Sequence, residues 1–86
     1  MALKSTKDFP KYELMCMYAR DAKESGYDEY YFETGRYKPW TVATLKAAER
    51  RGLVESYKNH HPVYLVKLTE KGYELGKKVS EKIYGF

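Results

Sequence analysis

The residues in this chain best suited to chemistry are its cations. Between positions 36 and 61 stand six basic side chains, Arg36, Lys38, Lys46, Arg50, Arg51 and Lys58, against two carboxylates, Glu49 and Glu55. That stretch carries a net charge of +4, whereas residues 1–35 carry −2 and residues 62–86 carry +2. Guanidinium and ammonium groups of this kind neutralise anions, so a polyanion partner would meet the middle of the chain. The competing reading is a charge asymmetry of a size common in small domains.

Other reactive groups are sparse. Cys16, the one cysteine, sits in the apolar run Leu-Met-Cys-Met-Tyr-Ala and reads as a small buried residue. His60 and His61 invite a metal, but adjacent strand side chains point to opposite faces and no third ligand is near in sequence. No glycine-rich phosphate loop, no nucleophile–base spacing and no paired carboxylates in an apolar setting are present. We therefore expect no catalytic residues, no cofactor and no metal.

The elements that position the cations follow from periodicity. A first helix is predicted from about Phe9 to Ser25, with Asp8 as its cap, Pro10 in its first turn and Gly26 at its end. Leu14, Met17, Tyr18 and Ala22 share one face, which Met15 and Cys16 broaden. Residues 28–34 are ambiguous: Asp28 suits a helix cap, while Tyr30, Tyr31 and Phe32 favour a strand. A short helix is the expectation adopted here. Another helix follows over about 39–51, with Pro39 in its first turn and Gly52 at its end. Its buried stripe is Trp40 or Thr41, Thr44, Leu45 and Ala48, which leaves Ala43, Lys46, Ala47 and Arg50 outward. Leu53–Tyr57 and Val63–Leu68 read as two strands of a hairpin around a polar turn. Thr69 then caps a last helix, with Glu70 in its first turn and Gly72, Gly76, Val79 and Ile83 at helical spacing.

The order helix, helix, helix, strand, strand, helix predicts an α+β fold with one domain over 1–86. Two stretches carry a resemblance, Thr-Val-Ala-Thr-Leu-Lys-Ala-Ala-Glu-Arg-Arg-Gly-Leu-Val-Glu over 41–55 and Val-Tyr-Leu-Val-Lys-Leu-Thr-Glu-Lys-Gly-Tyr-Glu-Leu over 63–75, above all through the motifs Glu-Arg-Arg-Gly-Leu-Val (49–54) and Leu-Thr-Glu-Lys-Gly (68–72). Together they resemble winged helix-turn-helix transcription regulators of the MarR and PadR types and small phage or plasmid regulators. Gly35 fits the turn of such a domain, and its spacing favours the helix at 28–34. The match spans Gly35 to about Val79. Departures are the tyrosine-rich second helix, Pro39-Trp40 at the start of the third, and the lack of long dimerising helices.

The resemblance implies sequence-specific binding of double-stranded DNA, with the third helix in the major groove and the wing, about 57–63, on the backbone. The residues agree. Val42, Ala43, Lys46, Ala47 and Arg50 would face DNA, alanine allowing close approach to thymine methyls. Arg36 and Lys38 are placed for phosphates, and Lys58, Asn59 and His60 form the wing tip. Arg51 is expected to pair with an acidic neighbour or touch DNA. A solvated helix face is the plainer alternative.

Ten tyrosines in 86 residues suggest either core packing or a partner surface, above all Tyr27, Tyr30, Tyr31 and Tyr37. Trp40 is expected to pack on the first helix. A second function follows from the tyrosines: a protein-interaction module, such as a phage or plasmid factor that binds a host protein through Tyr27–Tyr37. Small size and the stripe Gly76, Val79, Ile83 and Phe86 suggest a homodimer through the last helix, unless that stripe packs back on the first. No apolar run approaches the roughly 20 residues that span a bilayer, and the N-terminus has no signal-peptide block. The expected location is the cytoplasm, with no membrane partner.

Overall fold

The computed structural model describes residues 5–56 and 60–85. Three helices and a three-stranded antiparallel sheet follow one another as α1 (Lys11–Glu24), β1 (Tyr30–Glu33), α2 (Val42–Arg50), β2 (Val54–Ser56), β3 (Val63–Leu68) and α3 (Glu70–Tyr84). The α+β class is as expected.

Helix α1 begins two residues later than its periodicity suggested, and Asp8 does not cap it. Asp8 instead closes a short 3-10 turn, Thr6–Asp8, by accepting from the Ser5 N–H at 2.9 Å. Phe9 and Pro10 separate that turn from α1, and Pro10 occupies the cap position without a side-chain bond. Leu14, Met15, Cys16, Met17 and Ala19 face the interior; Ala22 is half-buried, and Tyr18, expected on the same face, is exposed.

The helix expected over 28–34 does not form. Tyr30–Glu33 is strand β1, paired with β3 in the register Tyr30↔Val66, Tyr31↔Leu65, Phe32↔Tyr64 and Glu33↔Val63. The physical reason is visible in the side chains. Alternation buries Phe32 while Tyr31 and Glu33 stay out, and the Phe32 ring stacks on Tyr30 along its own strand and on Tyr64 across the pair, both at 5.7 Å between centroids. Aromatic cross-strand pairs stabilise sheets, and a helix would have put Tyr30 and Phe32 on opposite sides of its axis, away from a common stack. The expected two-stranded hairpin thus belongs to a sheet of order β1-β3-β2. A strand, not a helix, precedes the turn at Gly35.

Helix α2 is shorter than the expected 39–51. Thr41 caps it, its Oγ1 accepting from the Thr44 N–H at 3.2 Å, so Pro39 and Trp40 lie outside it. Its end is a double closure. The Gly52 N–H reaches the Glu49 carbonyl at 2.9 Å and the Leu53 N–H reaches Ala48 at 3.0 Å. Gly52 has φ +71°, the left-handed geometry such a stop requires. Leu53 and Val54 then enter the core.

The two sequence motifs meet at this point. Thr69 caps α3 by accepting from the Gly72 N–H at 3.1 Å, and its hydroxyl also faces the carbonyls of Gly52 at 2.6 Å and Leu53 at 3.1 Å. The Thr69 N–H bonds Leu53 as well, at 3.0 Å. Farther along α3, a Cβ at Gly76 would lie 2.6 Å from the Cys16 carbonyl oxygen, so α3 and α1 meet backbone to backbone. Of the two fates open to the apolar stripe of α3, packing on α1 is the one seen. Gly76 and Val79 are buried and Ile83 is half-buried within the single chain, while Phe86 lies outside the described residues. The core gathers Met15, Cys16, Met17, Val66 and Val79 at its centre. No described helix is long and apolar enough to cross a membrane.

Candidate nucleic-acid interface

Helix α2 presents two unlike faces. Thr44, Leu45 and Ala48 are buried; Ala43, Lys46 and Arg50 are exposed, and Ala47 is half-buried between them. The outward set is a short row at helical spacing with two cations and two methyl-sized side chains. Val42 departs from the expectation: it is half-buried and packs on the core, because it lies one turn before buried Leu45 on the same side of the helix.

The carboxylate nearest this row in sequence is drawn aside. Glu49 Oε1 accepts from the Ser56 hydroxyl at 3.0 Å, which ties the end of α2 to β2. Among the described residues, neither Lys46 nor Arg50 takes part in an ion pair. Arg51 behaves differently from its neighbour. Its guanidinium donates to the Ala47 carbonyl at 3.1 Å and lies 4.2 Å from the centroid of the Tyr12 ring. No acidic neighbour claims it; although Arg51 is exposed, these two contacts fasten the end of α2 to α1.

The turn before α2 holds Arg36, Tyr37 and Lys38, all exposed. The Lys38 N–H bonds the Gly35 carbonyl at 3.2 Å. The Lys38 ammonium stands 3.5 Å from Glu33, a solvent-screened pair of little strength, so it stays available to phosphate. Arg36 lies against the Tyr37 ring, 5.8 Å from its centroid. Both ends of the loop are held. Thr34 donates twice to the Pro62 carbonyl, through its N–H and its hydroxyl, and Trp40 packs edge-on against Tyr18 of α1 at 5.8 Å. That places Trp40 where the sequence suggested.

At the hairpin tip, Lys58 and Asn59 lie outside the described residues. His60 is exposed and pairs with Val63 through the backbone. His61 is turned to the sheet, its Nδ1 3.2 Å from the Tyr64 hydroxyl, so the two histidines do not converge. No cluster of three metal-ligating side chains occurs among the described residues. Cys16 is fully buried, and burial, with a smaller push from Glu13, drives its thiol up to about 12.

The tyrosines divide into two groups that sequence alone did not separate. Tyr30 is half-buried: its hydroxyl accepts from Trp40 Nε1 at 3.0 Å, and burial raises its pKa, the Trp40 bond pulling the other way. Tyr27 and Tyr31 are 67% and 58% exposed. Tyr31 sits opposite half-buried Leu65 on the outer face of the sheet, and Tyr27, Asp28 and Glu29 border that same leucine.

Comparison with protein-family models, curated proteins and solved structures finds no match for this chain.

Proposed function

We propose that this chain is a small winged-helix protein that binds double-stranded DNA and regulates transcription. Helix α2 enters the major groove, and the β2–β3 hairpin follows the backbone as the wing. The observation that carries this reading is the outward row Ala43, Lys46, Ala47 and Arg50, on a helix whose opposite face is locked into the core. Small residues beside long cations allow close approach to base edges while the cations reach phosphate or guanine. Arg36 and Lys38, in the turn just before, add charge at the start of the helix. The β1 strand that replaces the expected helix keeps α2 in place by a different route, through Trp40 and Thr34.

The test is direct. The double substitution Lys46→Glu with Arg50→Glu changes two exposed side chains and should leave the thermal unfolding midpoint nearly unchanged. Affinity for a random-sequence duplex, read by fluorescence anisotropy, should be abolished. Each phosphate neutralised contributes about −0.9 to the slope of log affinity against log salt. A wild-type protein that binds no duplex at low salt would end this reading.

A second reading has its own support. The outer sheet face around Tyr31, Leu65 and Tyr27 is aromatic, exposed and bordered by Asp28 and Glu29, and it fits a protein partner better than a nucleic acid. Under that reading, Tyr27→Ala with Tyr31→Ala abolishes partner binding, and the α2 substitutions do not. Tyr30 does not serve this test, because its hydroxyl belongs to the Trp40 contact.

A further inference from the structure

A cleft of about 290 Å³ lies between the start of α1, β1 and the loop before α2. Its polar lining is Thr6, Lys11, Tyr18 and Tyr30; Leu14, Pro39 and Trp40 supply apolar walls. Every polar group there can donate a hydrogen bond, and no carboxylate is among the described residues that line it. Tyr30 is poised in a particular way. Its oxygen already accepts the Trp40 N–H, so its own O–H remains to donate. A site with one ammonium, several hydroxyl donors and no anion selects a negatively charged oxygen.

We infer that this cleft seats a DNA backbone phosphate, with its deoxyribose against Pro39 and Leu14, and so makes α1 a second point of contact outside α2 and the wing. This rests on the DNA-binding reading above and extends its footprint. Position on the chain favours DNA as the source of the phosphate. Trp40 immediately precedes Thr41, the cap of α2, and Arg36 and Lys38 lie in the same loop, so the cleft adjoins the end of α2 where a groove-bound duplex would pass. Charge favours it too. One lysine is too little to hold a free, strongly hydrated phosphate dianion, whereas a phosphodiester brought in by the rest of the duplex needs only one counter-charge. The sequence hides this role, because Lys11 belongs to the stretch with net negative charge.

The experiment is salt-dependent anisotropy on a random-sequence duplex with the wild type, Lys11→Gln and Lys46→Gln. Lys11 is exposed, so its substitution should not disturb folding. Lys11→Gln should make the log–log slope shallower by about 0.9 and weaken binding roughly three- to tenfold near 0.1 M salt, for any sequence. Trp40 is the single tryptophan, and its emission should shift on adding duplex but not on adding equimolar inorganic phosphate. A Lys11→Gln slope equal to wild type, with a shallower Lys46→Gln slope, would overturn the cleft contact and leave the DNA reading standing. A wild type that binds no duplex would overturn both. A saturable Trp40 response to inorganic phosphate alone would overturn DNA as the source.

Discussion

Gly72 lies against the carbonyl of Leu53 so closely that a Cβ added to it would sit 2.0 Å from the oxygen. The contact joins the first turn of α3 to the chain just after α2, at the point where the Thr69 hydroxyl donates to the carbonyls of Gly52 and Leu53. Three short links therefore set the angle between the helix that carries Lys46 and Arg50 and the helix that braces it. The row on α2 is only as well aimed as this joint is tight.

Gly72→Ala tests the joint. In an exposed helix interior, glycine to alanine stabilises by about 1 kcal/mol. Here the methyl meets a backbone oxygen that cannot rotate away, and overpacking of this kind costs about 1–3 kcal/mol or more. The clash should win. Thermal unfolding should show a lower midpoint for Gly72→Ala than for wild type, and an unchanged or higher midpoint would mean the approach is looser than described.

Adjacent arginines should separate function from stability. Arg51 bonds the Ala47 carbonyl and covers Tyr12, so Arg51→Ala should destabilise by about 1 kcal/mol while duplex affinity changes little. Arg50→Ala should do the reverse: a nearly unchanged midpoint and a weaker, less salt-sensitive duplex complex. Equal effects of the two on binding would count against the assignment of faces.

Alkaline pH should destabilise the fold through Cys16. Its thiol ionises near 9 when free and at about 12 in the folded chain. A raised folded pKa means that the unfolded chain loses its proton first. The associated stability is full below pH 9 and is lost between about pH 9 and 12, at about 1.4 kcal/mol per pH unit. Tyr30, raised from 10 mainly by burial, acts in the same direction at the upper end. Denaturant titrations at pH 7, 9 and 10.5 should show the fall, and Cys16→Ala should flatten it between pH 9 and 10.5. Iodoacetamide should label Cys16 only when the protein unfolds; rapid native labelling at pH 8 would contradict its burial.

Much of the architecture was legible because local chemistry enforces it. Glycine at 52 after an amphipathic run, and threonine at 69 before another, mark helix ends through cap geometry that depends on a few neighbouring residues. The alternation that buries Tyr64 and Val66 is equally local. The outward row Ala43, Lys46, Ala47 and Arg50 followed from helical period alone. Residues 28–34 were not legible. Their capping signal and their aromatic content pointed to different structures, and the choice fell to a long-range partner, the open edge of β3, which no local pattern reveals. The same holds for Arg51, for Tyr30 and for Lys11. Their types were plain in sequence, but what meets them lies on other elements: the Tyr12 ring against Arg51, the Trp40 indole on Tyr30, and Pro39 and Trp40 in the cleft that Lys11 also lines. Sequence by itself determined which residues are cationic, which helices they ride on and where those helices stop. Only the tertiary structure decided which cations are spent on the fold and which remain outward, because that depends on contacts between residues distant along the chain.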